Sequence, residues 1–205
     1  MDPVFRGELD KQDAMNALGL SGEKPVVLYA PTWRDGHGHS SIGPYSKALL
    51  ENTPDDVDLV IKLHPNTVRD KKYYELFKKH SEKPNVTLIA YASNIIPIMA
   101  ASDLLITDIS TVSHEYLAFR RPMVFLASPW RFMGFRNNTW IWQCGDVVYK
   151  RRDIWSTVRR NLNEPDRHKE IIEKCLNHVF YKPDGNGAKR AADAILELAR
   201  AKERC

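Results

Sequence analysis

The segment LLITDISTVSHEYLAF carries much chemistry for its length. An apolar run stops at Thr107, Asp108 follows, and Ser110 and Thr111 stand just ahead of a stretch of helical period. A helix starting there exposes free backbone N–H groups and the positive end of its peptide dipoles, and the two hydroxyls add donors for phosphate oxygens. A pyrophosphate suits such a turn. Glu115 lies about one helical turn beyond Thr111, where a carboxylate could accept hydrogen bonds from both hydroxyls of a ribose. The same spacing also fits a Ser110 that only caps the helix and a Glu115 that is only a surface acid. In DLVIKLHP, His64 closes another apolar run, and Pro65 holds its backbone extended at the strand exit. A neutral imidazole there could orient a hydroxyl, and a protonated one could neutralise charge on a phosphate; a packing or turn residue is the alternative. Lys62 supplies a second cation near the same strand end.

These groups need a scaffold that gathers loops. Apolar runs recur at Val26–Ala30, Leu59–Leu63, Val86–Ala90, Leu104–Thr107 and Met123–Leu126, each followed by a polar or Gly/Pro turn and then by a helical segment. The runs do not alternate, so they read as strands covered on both faces, and the fold class is α/β with a doubly wound, Rossmann-like parallel sheet. Helices are predicted over 43–52, 70–80, 94–101 and 111–119, with Pro97 in the first turn of the third. An aromatic stretch, SPWRFMGFRNNTWIWQCGD, leads to a short strand at Val147–Tyr149. Its Trp130, Phe132, Phe135, Trp140 and Trp142, with Arg131 and Arg136 interleaved, suit packing under a long loop, a membrane interface or stacking on bases. Three more helices follow: one capped by Asp153, one opened by Asp166, and a last over 188–202 with Ala191, Ala192, Ile195, Leu196 and Ala199 as its apolar stripe.

In an open parallel sheet the ligand crevice lies beyond the carboxyl ends of the strands. The loops there hold Pro31, Thr32, Trp33, Arg34 and Asp35; His64 to Asn66; Tyr91 to Asn94; Asp108, Ser110 and Thr111; and Ser128 to Arg131. All five are rich in hydrogen-bonding groups, as many loops are.

Composition narrows the classes. With 43% hydrophobic and 27% charged residues in 205, the chain sits near globular averages, which argues against disorder, collagen and coiled coil. No apolar run approaches the roughly 18 residues of a membrane span, and MDPVFRGELDKQD lacks the apolar core of a signal peptide. Cys144, Cys175 and Cys205 are odd in number and far apart, fitting neither a disulfide framework nor a zinc site, so a cytoplasmic setting is expected. His37 and His39 have no third ligand nearby, and no metal is expected. GxxxxGK[ST], GxGxxG, HExxH and GxSxG are all absent. The net charge of +4 hides an asymmetry: residues 1–118 hold 12 basic and 16 acidic side chains, the remainder 18 and 10. The positive part favours phosphate-bearing ligands, nucleic acid or an anionic membrane, or is simply solvated.

VVLYAPTWRDG, VIKLHP, ASDLLITDISTVSHEYLAFRRPMVFL and FYKPDGNGAKR resemble, in the same order, the C-terminal nucleotide-binding half of the CDP-glycerol glycerophosphotransferases, over about residues 25–192. That resemblance implies the second domain of a GT-B fold, a bacterial enzyme of teichoic-acid-type polymer synthesis, and CDP-glycerol or another nucleotide-diphospho donor. By matching motif, Pro31 and Thr32 would border the nucleotide, Lys62 and His64 would approach the diphosphate and reacting centre, Ser110 and Thr111 would hold phosphate oxygens, and Glu115 would take the ribose. The binding set is then Pro31, Thr32, Arg34, Lys62, His64, Asp108, Ser110, Thr111 and Glu115, with His64 catalytic and neither cofactor nor metal. The implied reaction is attack of an acceptor hydroxyl on the donor's β-phosphorus, with CMP leaving.

The family's TDYSS reads TDIST here, through Ile109 and Thr111, while Glu115 and Asn94 stand where aspartates are usual. Glutamate at the ribose position is also similar to the non-hydrolysing UDP-N-acetylglucosamine epimerases. Residues 1–24 are expected to be a linker and lead-in from an absent N-terminal domain, and 25–205 the donor-binding domain. A polymer or lipid-linked acceptor would bind through that absent domain, so the isolated chain is expected to lack turnover. Peripheral contact with the inner face of the membrane is compatible with this reading, and no nucleic acid partner is expected. The alternatives are a UDP-sugar glycosyltransferase or epimerase-like domain, and a non-catalytic basic module on a polyanion or membrane surface.

Overall fold

The computed structural model describes residues 1–34, 40–127 and 136–202, without the side chains of 136–138 and 202. In chain order it contains α1 (Asp2–Phe5), α2 (Lys11–Ala17), β1 (Val26–Tyr29), α3 (Ile42–Glu51), β2 (Asp58–Lys62), α4 (Pro65–Arg69), α5 (Lys71–His80) and β3 (Val86–Ile89). Then come α6 (Ile96–Ala101), β4 (Leu104–Thr107), α7 (Val112–Tyr116), β5 (Met123–Leu126), β6 (Asp146–Val148), α8 (Ile154–Asn163), α9 (Lys169–Val179) and α10 (Gly187–Lys202).

The six strands form one parallel sheet in the order β3-β2-β1-β4-β5-β6. Successive residues of a strand enter opposite cores. Val26, Leu28 and Leu105 join one cluster with Met99, Tyr116 and Leu176, while Val27, Tyr29 and Ile106 join the other with Leu49, Phe77 and Trp155. Burial on both faces is why the strands read as unbroken apolar runs instead of alternating. Gly145 enters β6 where a Cβ would stand 2.1 Å from the Met123 carbonyl oxygen, so only glycine lets β6 reach β5.

Several boundaries differ from expectation for local reasons. His64 is extended (φ −67°, ψ 144°), as its following proline requires. Pro65 then serves as the first residue of α4, an element the sequence reading missed. The predicted helix over 111–119 is α only to Tyr116; a 3-10 turn, Leu117–Phe119, finishes it, and Arg120 closes the turn in the left-handed region at φ 54°. Asp153 makes no side-chain cap: a 3-10 turn, Arg151–Asp153, precedes α8, and its carboxylate faces Arg152 at 3.7 Å. Residues 166–168 are turn, and α9 starts at Lys169.

Residues 1–24 pack on this domain. Met15 is buried in the core, and α2 lies against α6. The Asp2 carboxylate accepts from the N–H groups of Gly187 (3.1 Å) and Ala188 (2.7 Å) at the start of α10, which lowers its pKa. Phe5 meets Phe180 edge to face at 5.1 Å. Beyond that anchor residues 191–200 are exposed throughout, so the stripe expected at Ala191, Ala192, Ile195, Leu196 and Ala199 exists but has no core to cover. Among the described residues no helix is long and apolar enough to cross a membrane.

Candidate functional site

β1 and β4 are neighbours in the sheet, but their connections diverge, β1 leading to β2 on one side and β4 to β5 on the other. Such a divergence leaves a crevice at the carboxyl ends of the strands. A cavity of about 450 Å³ opens there, within the ordinary range for small-molecule sites. Pro31, Thr32 and Trp33 reach it from β1, Lys62 and His64 from β2, Ala92 and Ser93 from the loop after β3, and Ser110 and Thr111 from the loop after β4. Four of the five expected loops therefore converge. Asp35, His37, His39 and the fifth loop, Ser128 to Arg131, lie outside the described residues, as do Phe132 and Phe135.

Asp108 is wholly buried and fastens the crevice together. Its carboxylate accepts the Thr32 N–H on both oxygens and the Ser41 N–H at 2.8 Å, so it positions the β1 loop and does not line the cavity. The Thr32 hydroxyl oxygen is buried at the cavity without a hydrogen-bond partner among the described residues. Pro31 is buried beside it.

His64 stacks on Trp33, ring centroids 6.1 Å apart and planes 27° from parallel. Its Nδ1 accepts the Asn66 N–H at 3.1 Å, so the neutral ring carries its proton on Nε2 and presents a donor. Partial burial first, and the charge of Lys62 second, lower the imidazole pKa below its usual value. Lys62 is only 8% exposed and bonds to the Leu63 carbonyl. Among the described residues no carboxylate pairs with it, and burial lowers its pKa. An ammonium kept this dry favours an incoming anion strongly.

Beyond β4, the backbone N–H groups of Ile109, Ser110 and Thr111 find no acceptor among the described residues. The cap position of α7 is Thr111, whose side chain makes no capping bond, and Ser110 accepts only a long 3.4 Å bond from the Val112 N–H. Thr111 is exposed, and its hydroxyl is unengaged among the described residues. Ser110 stands one residue ahead of that cap and lines the cavity. Glu115, one turn on, is half-buried, has no partner among the described residues and stands outside the cavity lining. Asn94 accepts the Ile96 N–H at 3.0 Å and so starts α6. Trp142 donates to the Asp108 carbonyl at 2.9 Å, and Trp140 lies edge-on between His114 and His178; this part of the aromatic stretch is packing.

Arg34 does not line the large cavity. It borders a smaller neighbour of about 190 Å³ that shares Trp33. Trp33, absent from the expected binding set, is the residue that joins the two, and its place directly after a strand was the signal for it. Among the described residues, no group of three His, Cys, Asp or Glu side chains is placed to hold a metal.

Sheet order and crevice together define a Rossmann-type domain of the kind that forms one half of a GT-B fold. The chain belongs to the CDP-Glycerol:Poly(glycerophosphate) glycerophosphotransferase family, which it matches over residues 1–197. It is 27% identical over 197 residues to the teichoic acid poly(glycerol phosphate) polymerase of Bacillus spizizenii, covering 87% of this chain and 46% of that one. The teichoic acid ribitol-phosphate primase of the same organism is 35% identical over 177 residues, covering 84% and 44%. A variant of the wall teichoic acid polymerase TagF soaked with CDPG superposes with a TM-score of 0.64 at 19% identity, over 99% of this chain and 51% of that one, which establishes the fold. This chain spans about half the length of these relatives.

Proposed function

We propose that the chain is the donor-binding half of a transferase that moves glycerol phosphate from CDP-glycerol to an acceptor hydroxyl, releasing CMP. One observation carries the reading: three backbone N–H groups without acceptors and a buried lysine without a carboxylate, among the described residues, belong to residues that line one cavity at the sheet's divergence point. Such a pattern suits a diphosphate. Ser110, Thr111 and the free amides bind its oxygens, Lys62 offsets its charge, Pro31 and Thr32 border the nucleoside, and Glu115 takes the ribose hydroxyls.

In the transfer, an acceptor oxygen forms a bond to the β-phosphorus while the bond from that phosphorus to the bridging oxygen breaks. CMP departs with that oxygen. The hydroxyl proton passes to a base or water on the acceptor side, because His64, with Nδ1 occupied by Asn66, offers a donor from Nε2. His64 accordingly stabilises charge on the transferring phosphoryl group, work that positioned donors do well. The chain spans about half the length of its relatives, and donor binding without turnover is the behaviour expected of it alone.

Isothermal titration with CDP-glycerol, CDP, UDP and a UDP-sugar tests the reading. Saturable binding with cytidine preferred supports it. Preference for the UDP-sugar would move the domain to the sugar-nucleotide enzymes, and no nucleotide binding, with a steeply salt-dependent affinity for polyanion, would leave a basic module.

A further inference from the structure

The second cavity has a chemistry of its own. It lies between the end of the β1 loop and α4, lined by Trp33, Arg34, Asn66, Thr67, Arg69 and Tyr73 and by one acid, Asp70. Thr67 is 3% exposed, and its hydroxyl oxygen is buried without a partner among the described residues. Arg69 makes no ion pair among the described residues. Arg34 rests its guanidinium 4.9 Å from the centre of the Tyr73 ring and reaches Asp70 only at 3.5 Å, the outer limit of a weak, exposed pair. Two arginines and a buried hydroxyl lining one space are donors of the kind that the oxygens of a phosphate ester accept. At about 190 Å³ the space is too small for a nucleoside and suits a phosphate with the carbons on either side.

Its location says which phosphate. Trp33 walls both cavities and stacks on His64, and Asn66, which lines the small cavity, is the residue that fixes the His64 ring. A group bound there lies across Trp33 from the cavity that holds His64. The family's acceptor is a poly(glycerophosphate), in which the hydroxyl that attacks and the nearest phosphodiester are separated by a single glycerol. We propose that this cavity is an acceptor subsite that holds the phosphodiester next to the attacking hydroxyl, Arg34 and Arg69 binding its oxygens and the Thr67 hydroxyl donating to one of them. The subsite rests on the donor reading above. It also gives Arg34 a task on the acceptor side, in place of the nucleotide.

The test is NMR on the full chain, titrated separately with glycerophosphoglycerol (one phosphodiester between two glycerols), inorganic phosphate and CDP-glycerol. The diester is expected to move the Arg34 and Arg69 Nε–H signals, and CDP-glycerol the amides of Ser110 and Thr111. Arg69→Gln, at an exposed position, is expected to weaken the diester about tenfold with the amide spectrum otherwise that of the folded chain. The subsite is overturned if the diester leaves both arginines unmoved while CDP-glycerol still shifts Ser110, an outcome that spares the donor reading. It is equally overturned if inorganic phosphate binds as tightly as the diester, if Arg69→Gln binds the diester unchanged, or if CDP-glycerol displaces the diester from the arginines.

Discussion

The Asp108 carboxylate grips the Thr32 N–H with both oxygens, at 3.0 and 3.2 Å, and so ties the exit of β4 to the exit of β1 at the point where their connections part. With the Ser41 N–H held on the same group, a buried acid sets the width of the crevice mouth. Asp108→Ala leaves two buried donors without acceptors and is expected to cost about 3 kcal/mol in urea unfolding. Nucleotide affinity should fall with it, since Thr32 would no longer be held against the cavity. Full stability in the alanine variant would show that the β1 loop holds itself.

The turn after β4 mixes side-chain and backbone donors, and the two can be separated. Ser110→Ala combined with Thr111→Ala removes both hydroxyls but leaves the amides of residues 109–111 in place. Calorimetry should therefore show CDP-glycerol bound about tenfold more weakly, and still bound. Unchanged affinity would remove the hydroxyls from the site, and complete loss would mean that they, and not the amides, carry it.

Because Asn66 occupies Nδ1, His64 acts from Nε2 as a donor. Glutamine places an amide N–H near the Nε2 position, whereas alanine has nothing there. In a full-length relative carrying the equivalent change, the glutamine variant should retain more turnover than the alanine variant, with KM for the donor little altered in either. Equal loss in both would point instead to proton transfer through the ring.

Much of this was legible in the sequence because each strand's apolar run and each exit loop are local signals. Val26–Tyr29 and Leu104–Thr107 announce themselves by composition, and the polar residues that follow them fall at the crevice by topology alone. What escaped depends on contacts between distant segments. Asp108 reads as a ligand residue until Thr32 and Ser41 are seen bonded to it. Arg34 reads as part of the first loop's cavity until Tyr73 and Asp70, from another helix, draw it aside. The short helix α4 was hidden because Pro65 signals an extended predecessor and a helix start at once.

His114 gives the fold an acid-sensitive point. Its Nδ1 is buried without a partner among the described residues, its ring meets Trp140 edge-on at 5.4 Å, and burial lowers its pKa below the usual 6.5. The unfolded chain then binds more protons than the folded one in the window below that value, so stability falls as pH drops through it. His64, lowered as well, adds to the same slope. Urea midpoints taken between about pH 7 and pH 5 should decline in the native chain and decline less in His114→Phe. An identical slope in the variant would place the acid sensitivity elsewhere.

Lys62 separates what the fold needs from what a ligand needs. The folded domain must keep an ammonium in a site that is 8% exposed, with a carbonyl and, among the described residues, no carboxylate for company. Desolvating that charge opposes folding and holds its pKa down, so the free domain should gain by losing it. Lys62→Met keeps the length and the apolar stem, and Tm of the unliganded protein should rise, by about 2–4 °C for each kcal/mol recovered. CDP-glycerol should meanwhile bind at least about tenfold more weakly, because a dry cation facing a diphosphate is lost. The two effects must appear together. A variant that is less stable would mean that Lys62 is a structural residue satisfied by Leu63, and a stabilised variant with undiminished affinity would place the diphosphate away from β2.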